Sequence, residues 1–212
     1  MMKLGKALLI ADPQIDFFPG GALGIKDGDK ILPVVNAYIR SFAARQLPVF
    51  VTRDWHPKKT KHFKAYGGVW PRHCVRDTKG AVFHPGLKLP KEAIILSKGM
   101  DPEKDSYSAF HAVDQNHKEL HHLLQIFGVT ELYVGGLATD YCVKHSVLDA
   151  LKYGYKAHVL LDAAKGVNLK PQDSDDAIRQ MAAAGAKMTT FYGLFPAGRK
   201  TRVKKKSSPL KR

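Results

Sequence analysis

Short apolar runs alternate along the chain with segments whose apolar residues recur at helical spacing. The runs predict six strands, at residues 7–11, 48–52, 93–97, 131–135, 158–162 and 187–190. Several are apolar at successive positions, which is typical of parallel strands covered on both faces. Between them, apolar spacing predicts helices over residues 31–42, 120–127, 143–151 and about 173–184. This order predicts an α/β fold with a doubly wound, mainly parallel six-stranded sheet and helices on both faces.

Residues 53–89 depart from this alternation. The stretch is rich in Pro, Gly, His and Lys, and it also holds five aromatic residues: Trp55, Phe63, Tyr66, Trp70 and Phe83. Long irregular stretches inside a compact domain are usually functional or disordered, and the aromatic content argues against disorder. We therefore expect a functional insertion within a single domain over residues 1–197.

Composition supports one globular domain with its own core. The chain has 212 residues, of which 44% are hydrophobic and 25% are charged. Two cysteines exclude a disulfide scaffold. The longest early apolar run, residues 7–11, is too short for a signal peptide or a membrane span. We therefore expect a cytoplasmic protein with no signal peptide, no transmembrane segment and no membrane partner.

The formal net charge of +15 is concentrated at the C-terminus. Residues 198–212 hold eight of the 34 Lys and Arg residues and no acid, so the rest of the chain carries +7. A solvated, disordered tail is the expectation, with nucleic-acid binding limited to weak electrostatics of that tail. A catalytically silent scaffold that binds polyanions through the tail is the alternative from a different class of protein.

Reactive residue types follow the predicted strands. Asp12 follows the first strand, Asp54 and His56 follow the second, and Lys98 follows the third. A Gly-Gly turn after the fourth strand leads to Cys142. Ligands of open α/β sheets bind beyond the carboxyl ends of the strands, so we expect these side chains to share one rim.

Cys142 is the candidate nucleophile of this rim. Near a helix start, unpaired N–H groups and the helix dipole favour the thiolate and could hold an oxyanion. An Asp12–Lys98 ion pair would neutralise a buried ammonium and leave a carboxylate beside the thiol. The alternatives are a buried cysteine that acts as a small hydrophobe, a capping aspartate and a surface lysine.

Asp54, His56, His62 and His73 form a candidate metal-binding set. One carboxylate with several imidazoles suits Zn²⁺, Fe²⁺ or Mn²⁺ and leaves a coordination position open. Scattered surface histidines are the alternative, because the chain has 10 histidines in all. Cys74, next to His73, is expected to pack in the interior.

Six motifs occur in a characteristic order between residues 8 and 192. They are ADPQIDFF at 11–18, TRDWHP at 52–57, WPRHCV at 70–75, KG at 98–99, DSYSAF at 105–110 and GLATDYCV at 136–143. With these motifs the chain resembles the nicotinamidases of the isochorismatase-like cysteine hydrolase superfamily. The tail lies outside the resemblance.

The resemblance implies a catalytic triad of Cys142, Asp12 and Lys98. It also implies a cis peptide between Leu137 and Ala138, which aims the amides of Ala138 and Cys142 at the oxyanion. The reaction expected from it is nicotinamide + water → nicotinate + ammonia, through a Cys thioester, as a step of NAD salvage. Side activity on pyrazinamide-like amides would use the same pocket.

The resemblance further implies one divalent metal ion and an aromatic pocket. The implied ligands are Asp54, His56 and His73, with His62 as a fourth. The ion is expected to be zinc, with iron or manganese as alternatives. The implied substrate-binding residues are Phe17, Trp70, Leu137 and Tyr141. A metal-free isochorismatase or carbamoyl amidase is the alternative within the superfamily, and a homo-oligomer stays open.

Overall fold

The computed structural model describes residues 5–196. The predicted basic tail, residues 198–212, lies outside the described residues, and so do residues 1–4. Within the described range, no helix is long and apolar enough to cross a membrane.

Six parallel strands form one sheet, as the apolar runs predict. In chain order they are β1 (Gly5–Ala11), β2 (Val49–Asp54), β3 (Ile94–Lys98), β4 (Val129–Leu137), β5 (Lys156–Lys165) and β6 (Lys187–Thr189). Their spatial order is β3-β2-β1-β4-β5-β6, and every neighbouring pair is parallel. The direction of winding reverses between β1 and β4. A crevice therefore opens beyond the carboxyl ends of these two strands, where a ligand can bind.

Helices cover both faces of the sheet. They are α1 (Leu32–Ala43), α2 (Leu120–Ile126), α3 (Lys144–Lys152), α4 (Asp173–Ala183) and α5 (Phe191–Leu194). Alternate residues of β1 pack into the apolar layers on the two faces of the sheet, because successive side chains of a strand point to opposite faces. Leu8 and Ile10 pack with Phe42 of α1, whereas Leu9 packs with Leu124 of α2 on the other face. The short helix α5 is absent from the sequence prediction.

The insertion at residues 53–89 is folded onto the body of the protein. Phe63, Cys74 and Val75 in it are buried, and short 3₁₀ turns occur at Lys64–Tyr66 and Lys79–Ala81. Burial of Cys74 agrees with the expectation that it packs. The insertion thereby holds its histidines against the carboxyl end of β2.

Candidate active site

Three side chains from separate strand ends meet beneath the crevice. Asp12 directly follows β1, Lys98 ends β3, and Cys142 lies in the π-helical turn Thr139–Val143 that leads into α3. The Lys98 Nζ atom lies 2.9 Å from Asp12 Oδ2 and 3.5 Å from Cys142 Sγ. The three side chains are buried. The structure thus brings together the residues of the predicted triad.

Thr52 and Lys98 hold the Asp12 carboxylate from two sides. The Thr52 hydroxyl donates a 2.7 Å hydrogen bond to Asp12 Oδ1. Asp12 Oδ2 has the ammonium nearby but no aligned hydrogen-bond donor among the described residues. Burial raises the pKa of Asp12, although the Lys98 charge opposes the rise. A carboxyl group with a raised pKa and a free lone pair suits a base that takes and returns a proton.

The Lys98 ammonium is neutralised by two carboxylates. Besides Asp12, it donates a short hydrogen bond to Asp54 Oδ1. Burial alone would lower the pKa of Lys98, but these carboxylates raise it well above its ordinary value. Asp12, Asp54 and Cys142 have ligand atoms within 4.8 Å of one another. Because the ammonium already contacts all three, it takes the place that a metal ion would need there.

The surroundings of the Cys142 thiol act on its pKa in opposite directions. Burial raises the pKa, the Lys98 ammonium lowers it, and the Asp12 carboxylate raises it, with a net rise above the ordinary value. Burial and the adjacent carboxylate thus oppose the helix start, which favours the thiolate. A base beside the thiol, such as Asp12, serves the attack by taking its proton.

Three histidines of the insertion form a buried cluster next to this triad. His56, His62 and His73 each offer one ring nitrogen within 4.8 Å of the others, and all three are buried. The rings of His56 and His62 stack with centroids 4.5 Å apart. The histidines expected to bind metal are thus clustered, with His62 among them.

Hydrogen bonds fix the tautomer of each of these histidines. Each Nδ1 faces an oxygen that can only accept: the Gly99 carbonyl at 2.9 Å for His56, the Pro71 carbonyl at 2.7 Å for His73, and the Asp105 carboxylate for His62. Each Nδ1 must therefore carry the proton, which leaves the Nε2 lone pair free. Histidine ligands of metals are oriented in this way.

The cluster fits a divalent metal ion. His56 Nε2 is buried and has no hydrogen-bond partner within residues 5–196. Asp54 Oδ2 lies 3.7 Å from that atom, while the other oxygen of Asp54 contacts Lys98. Burial opposes ionisation of Asp54, but the Lys98 charge holds the pKa of Asp54 well below its ordinary value. Neutral imidazoles and an ionised carboxylate are the donors that zinc prefers.

A small cavity joins the two groups. Cys142 and Ala138 line one side, and Asp54, His62 and His73 line the other. Aromatic rings complete the wall: Phe17, Trp70, Tyr107 and Tyr141. Trp70 donates a 2.9 Å hydrogen bond to the Tyr107 hydroxyl and meets Tyr141 edge-on at 4.8 Å. Aromatic side chains are surfaces against which a flat ring can pack.

The turn that carries Cys142 has the expected cis peptide between Leu137 and Ala138. Asp140 secures the turn, because its carboxylate accepts hydrogen bonds from the amides of Val167 and Asn168 at 2.9 and 2.7 Å. Ala138 reaches the cavity as expected. Leu137, expected to contact substrate, instead lies 1% exposed in the apolar layer beneath α1.

Five residues that shape the site are not among the site residues predicted from the sequence. They are Gln14, Thr52, Gly99, Asp105 and Tyr107. Gln14 donates to the Asp54 carbonyl at 2.7 Å and accepts from the Asp54 amide at 2.7 Å, which fixes the end of β2. Two of the others lie inside the DSYSAF motif, so the motif carried a signal for them. The contact between Thr52 and Asp12 depends on how β1 and β2 pair, which apolar patterning alone does not show.

Two wider grooves lie on the surface away from this cavity. One is lined by Leu47, Pro90 and Phe127, and the other by Arg53, Ile95 and Val113 among others. Neither includes the cysteine or the three clustered histidines among its lining residues. Size alone therefore does not mark the reactive site in this fold.

Comparison with known proteins decides the family. The model of the isochorismatase domain matches residues 6–191. The chain belongs to the isochorismatase family. A nicotinamidase of Escherichia coli (strain K12) is 42% identical over 202 residues, covering 88% of this chain and 95% of that protein.

Two further members of the family agree with this assignment. A nicotinamidase/pyrazinamidase of Mycobacterium tuberculosis is 37% identical over 166 residues, covering 77% of this chain and 88% of that protein. The crystal structure of a pyrazinamidase of Pyrococcus horikoshii in complex with zinc has a TM-score of 0.81 and 44% identity. That comparison covers 88% of this chain and 99% of the other. The predicted α/β fold and family are confirmed.

Proposed function

We propose that this chain is a nicotinamidase, an amidohydrolase that converts nicotinamide and water to nicotinate and ammonia in NAD salvage. The similar proteins named nicotinamidase support this activity. The observation that carries the proposal is the cavity that Cys142 lines together with His62 and His73 of the histidine cluster. The triad with Cys142 suits acyl transfer, and the histidine cluster suits recognition of a pyridine ring.

Acylation begins with proton transfer from Cys142 to Asp12. The thiolate adds to the amide carbon of the substrate, and the carbonyl oxygen becomes an oxyanion. We assign the amides of Ala138 and Cys142 as its donors, because they lie in the turn that holds the nucleophile. The C–N bond then breaks, Asp12 returns its proton to the nitrogen, and ammonia leaves a thioester on Cys142.

Deacylation uses the same groups in reverse. Asp12 accepts a proton from water as the water oxygen attacks the thioester carbon, and the C–S bond breaks. The sulfur recovers the proton, and nicotinate leaves. Lys98 steadies Asp12 throughout, because its Nζ atom stays 2.9 Å from the carboxylate that gains and loses charge.

Asp54, His56, His73 and His62 would hold a divalent metal ion, for which we propose zinc. When bound, the ion supplies a Lewis acid that can receive the pyridine nitrogen. The zinc in the similar Pyrococcus pyrazinamidase supports this choice. Asp54 links the two halves of the site, because one of its oxygens contacts Lys98 and the other faces His56.

The aromatic wall sets the range of substrates. Phe17, Trp70 and Tyr141 line the cavity together with Cys142, His62 and His73. Pyrazinamide has the same shape and also carries ring nitrogens, so we propose it as a second substrate. Benzamide has the amide but no ring nitrogen, and we expect it to react much more slowly.

The proposed hydrolase domain ends near residue 197. The family match ends at residue 191 and α5 ends at Leu194, which supports this boundary. We propose that the basic residues 198–212 are an appendage that the reaction does not need, with weak polyanion binding as their electrostatic property. We also propose a cytoplasmic location, which matches the pathway assigned above.

An assay of ammonia release and bound metal in one purified sample tests the proposal. Wild-type protein should release ammonia from nicotinamide, hold about one divalent ion per chain, and prefer nicotinamide to benzamide. Cys142→Ala is the matched control, because it should keep the ion and lose the turnover. Equal rates on benzamide and nicotinamide, or full activity without metal, would instead favour a metal-free amidase of the same family.

A further inference from the structure

Asp105 differs from the groups that support the other two clustered histidines. His56 and His73 are held by neutral backbone carbonyls, whereas His62 is held by a carboxylate. The Asp105 side chain is 48% exposed, while that of His62 is 5% exposed. The carboxylate thus reaches from the surface to a buried imidazole.

The segment that carries Asp105 is tied to the segment that carries His62. The Pro102 carbonyl accepts hydrogen bonds from the Lys61 amide at 2.9 Å and from the Thr60 hydroxyl at 3.2 Å. That same hydroxyl accepts from the His62 amide at 3.2 Å. Contacts of the two residues before the histidine therefore hold the two segments together beside the Asp105–His62 hydrogen bond.

A carboxylate partner changes the imidazole in two ways. A charge-assisted hydrogen bond is stronger than one to a carbonyl, so the ring orientation is more firmly held. The negative charge also raises the basicity of the opposite nitrogen, which strengthens a metal bond. Among the three clustered histidines of the described residues, only His62 has a carboxylate hydrogen-bonded to its Nδ1 atom.

We propose that Asp105 is a positioning residue that makes His62 a firm ligand of the metal ion. The proposal rests on the metal site assigned under the proposed function. It extends that site to a residue of the segment after β3, where sequence reasoning placed no functional side chain. Through Gly99 and Asp105, this one segment orients both His56 and His62.

The test measures zinc affinity by competition with a chelator, with thermal unfolding of the metal-free proteins as a check on the fold. Asp105→Ala should weaken zinc binding roughly 10–100-fold. Asp105→Asn should fall between that variant and wild type, because its amide oxygen still accepts from Nδ1 but carries no charge. Glu103→Gln is the matched control: it removes one negative charge from the same segment, where Glu103 pairs with Lys61, and should bind zinc like wild type.

A double-mutant cycle separates positioning from a general structural effect. In a His62→Ala background, Asp105→Ala should cause no further loss of zinc affinity, because the ligand it supports is gone. Wild-type zinc affinity in Asp105→Ala and Asp105→Asn would overturn the proposal. So would a loss of zinc affinity that is equal with and without His62. Neither result would contradict the proposed nicotinamide hydrolysis. Wild-type protein that binds no zinc would overturn this proposal and the metal site together.

Discussion

Replacing Lys98 with methionine removes the ammonium between two carboxylates while keeping most of the apolar stem. The Lys98 and Asp12 side chains are 0% exposed and that of Asp54 is 6% exposed. Asp12, which does not line the cavity, cannot gain compensating water without local opening of the structure. Removing one partner of a buried ion pair costs about 3–5 kcal/mol, and here two charges lose the same partner. We expect a loss of at least this size, out of a total of about 5–15 kcal/mol.

The loss should depend on pH in a defined direction. Burial already raises the pKa of Asp12 above its ordinary 3.8 against the opposing Lys98 charge, and without that charge the pKa rises further. The folded variant then binds a proton more tightly than the unfolded chain does. Its stability is therefore greatest below the unfolded pKa and falls as pH rises through the folded pKa. The difference in stability between the variant and wild type should therefore narrow as the solution is acidified from neutral pH.

Urea unfolding of the metal-free proteins, followed by circular dichroism, measures this loss. Metal-free samples are needed because an ion beside Asp54 would compensate part of the charge. Asp12→Asn is the control: it leaves Lys98 paired with Asp54 and should cost less, about 1–3 kcal/mol. A Lys98→Met protein as stable as wild type at neutral pH would refute the account of the buried charges. So would a deficit that grows as the solution is acidified.

Three further predictions concern the nucleophile, one glycine and the tail. Cys142→Ala should release no ammonia from nicotinamide and lose only about 1 kcal/mol in urea unfolding; measurable turnover would exclude Cys142 as nucleophile. Gly99→Ala should lose metal and about 1–3 kcal/mol of stability, because φ is +66° and a Cβ would lie 2.5 Å from His56 Cε1; full metal content by elemental analysis would contradict this. Deleting residues 198–212 should leave kcat/KM for nicotinamide unchanged, and the shortened protein should elute from heparin at a lower salt concentration than the full chain. A loss of activity would mean that the reaction needs the tail.

The alternation of apolar runs and helical spacing carried enough information for the sheet. All six predicted strands are present, and the observed strands extend beyond the predicted ones at several ends. Those extensions matter for the site, because Asp54 and Lys98 are the last residues of β2 and β3 rather than the first residues of loops. Parallel pairing of these strands places the two side chains opposite each other. Apolar patterning alone cannot reveal that register.

The supporting residues of the site were less visible for a physical reason. Gly99 and Pro71 hold the histidines through backbone carbonyls, which every residue has, so residue type does not reveal these two hydrogen bonds. Asp105 acts across 43 residues of sequence on His62. Burial raises the pKa of the Cys142 thiol, and a helix-start argument does not contain that burial. Residue type thus predicted the reacting groups, while their environment required the fold.

Trapping the acyl-enzyme tests the central claim most directly. Wild-type protein is mixed with excess nicotinamide, quenched in acid during turnover, digested and analysed by mass spectrometry. The account predicts one nicotinoyl group as a thioester on the peptide that carries Cys142, and no label on Cys142→Ala. A nicotinoyl group on another residue, or steady turnover with no acylated Cys142 under the same quench, would contradict it.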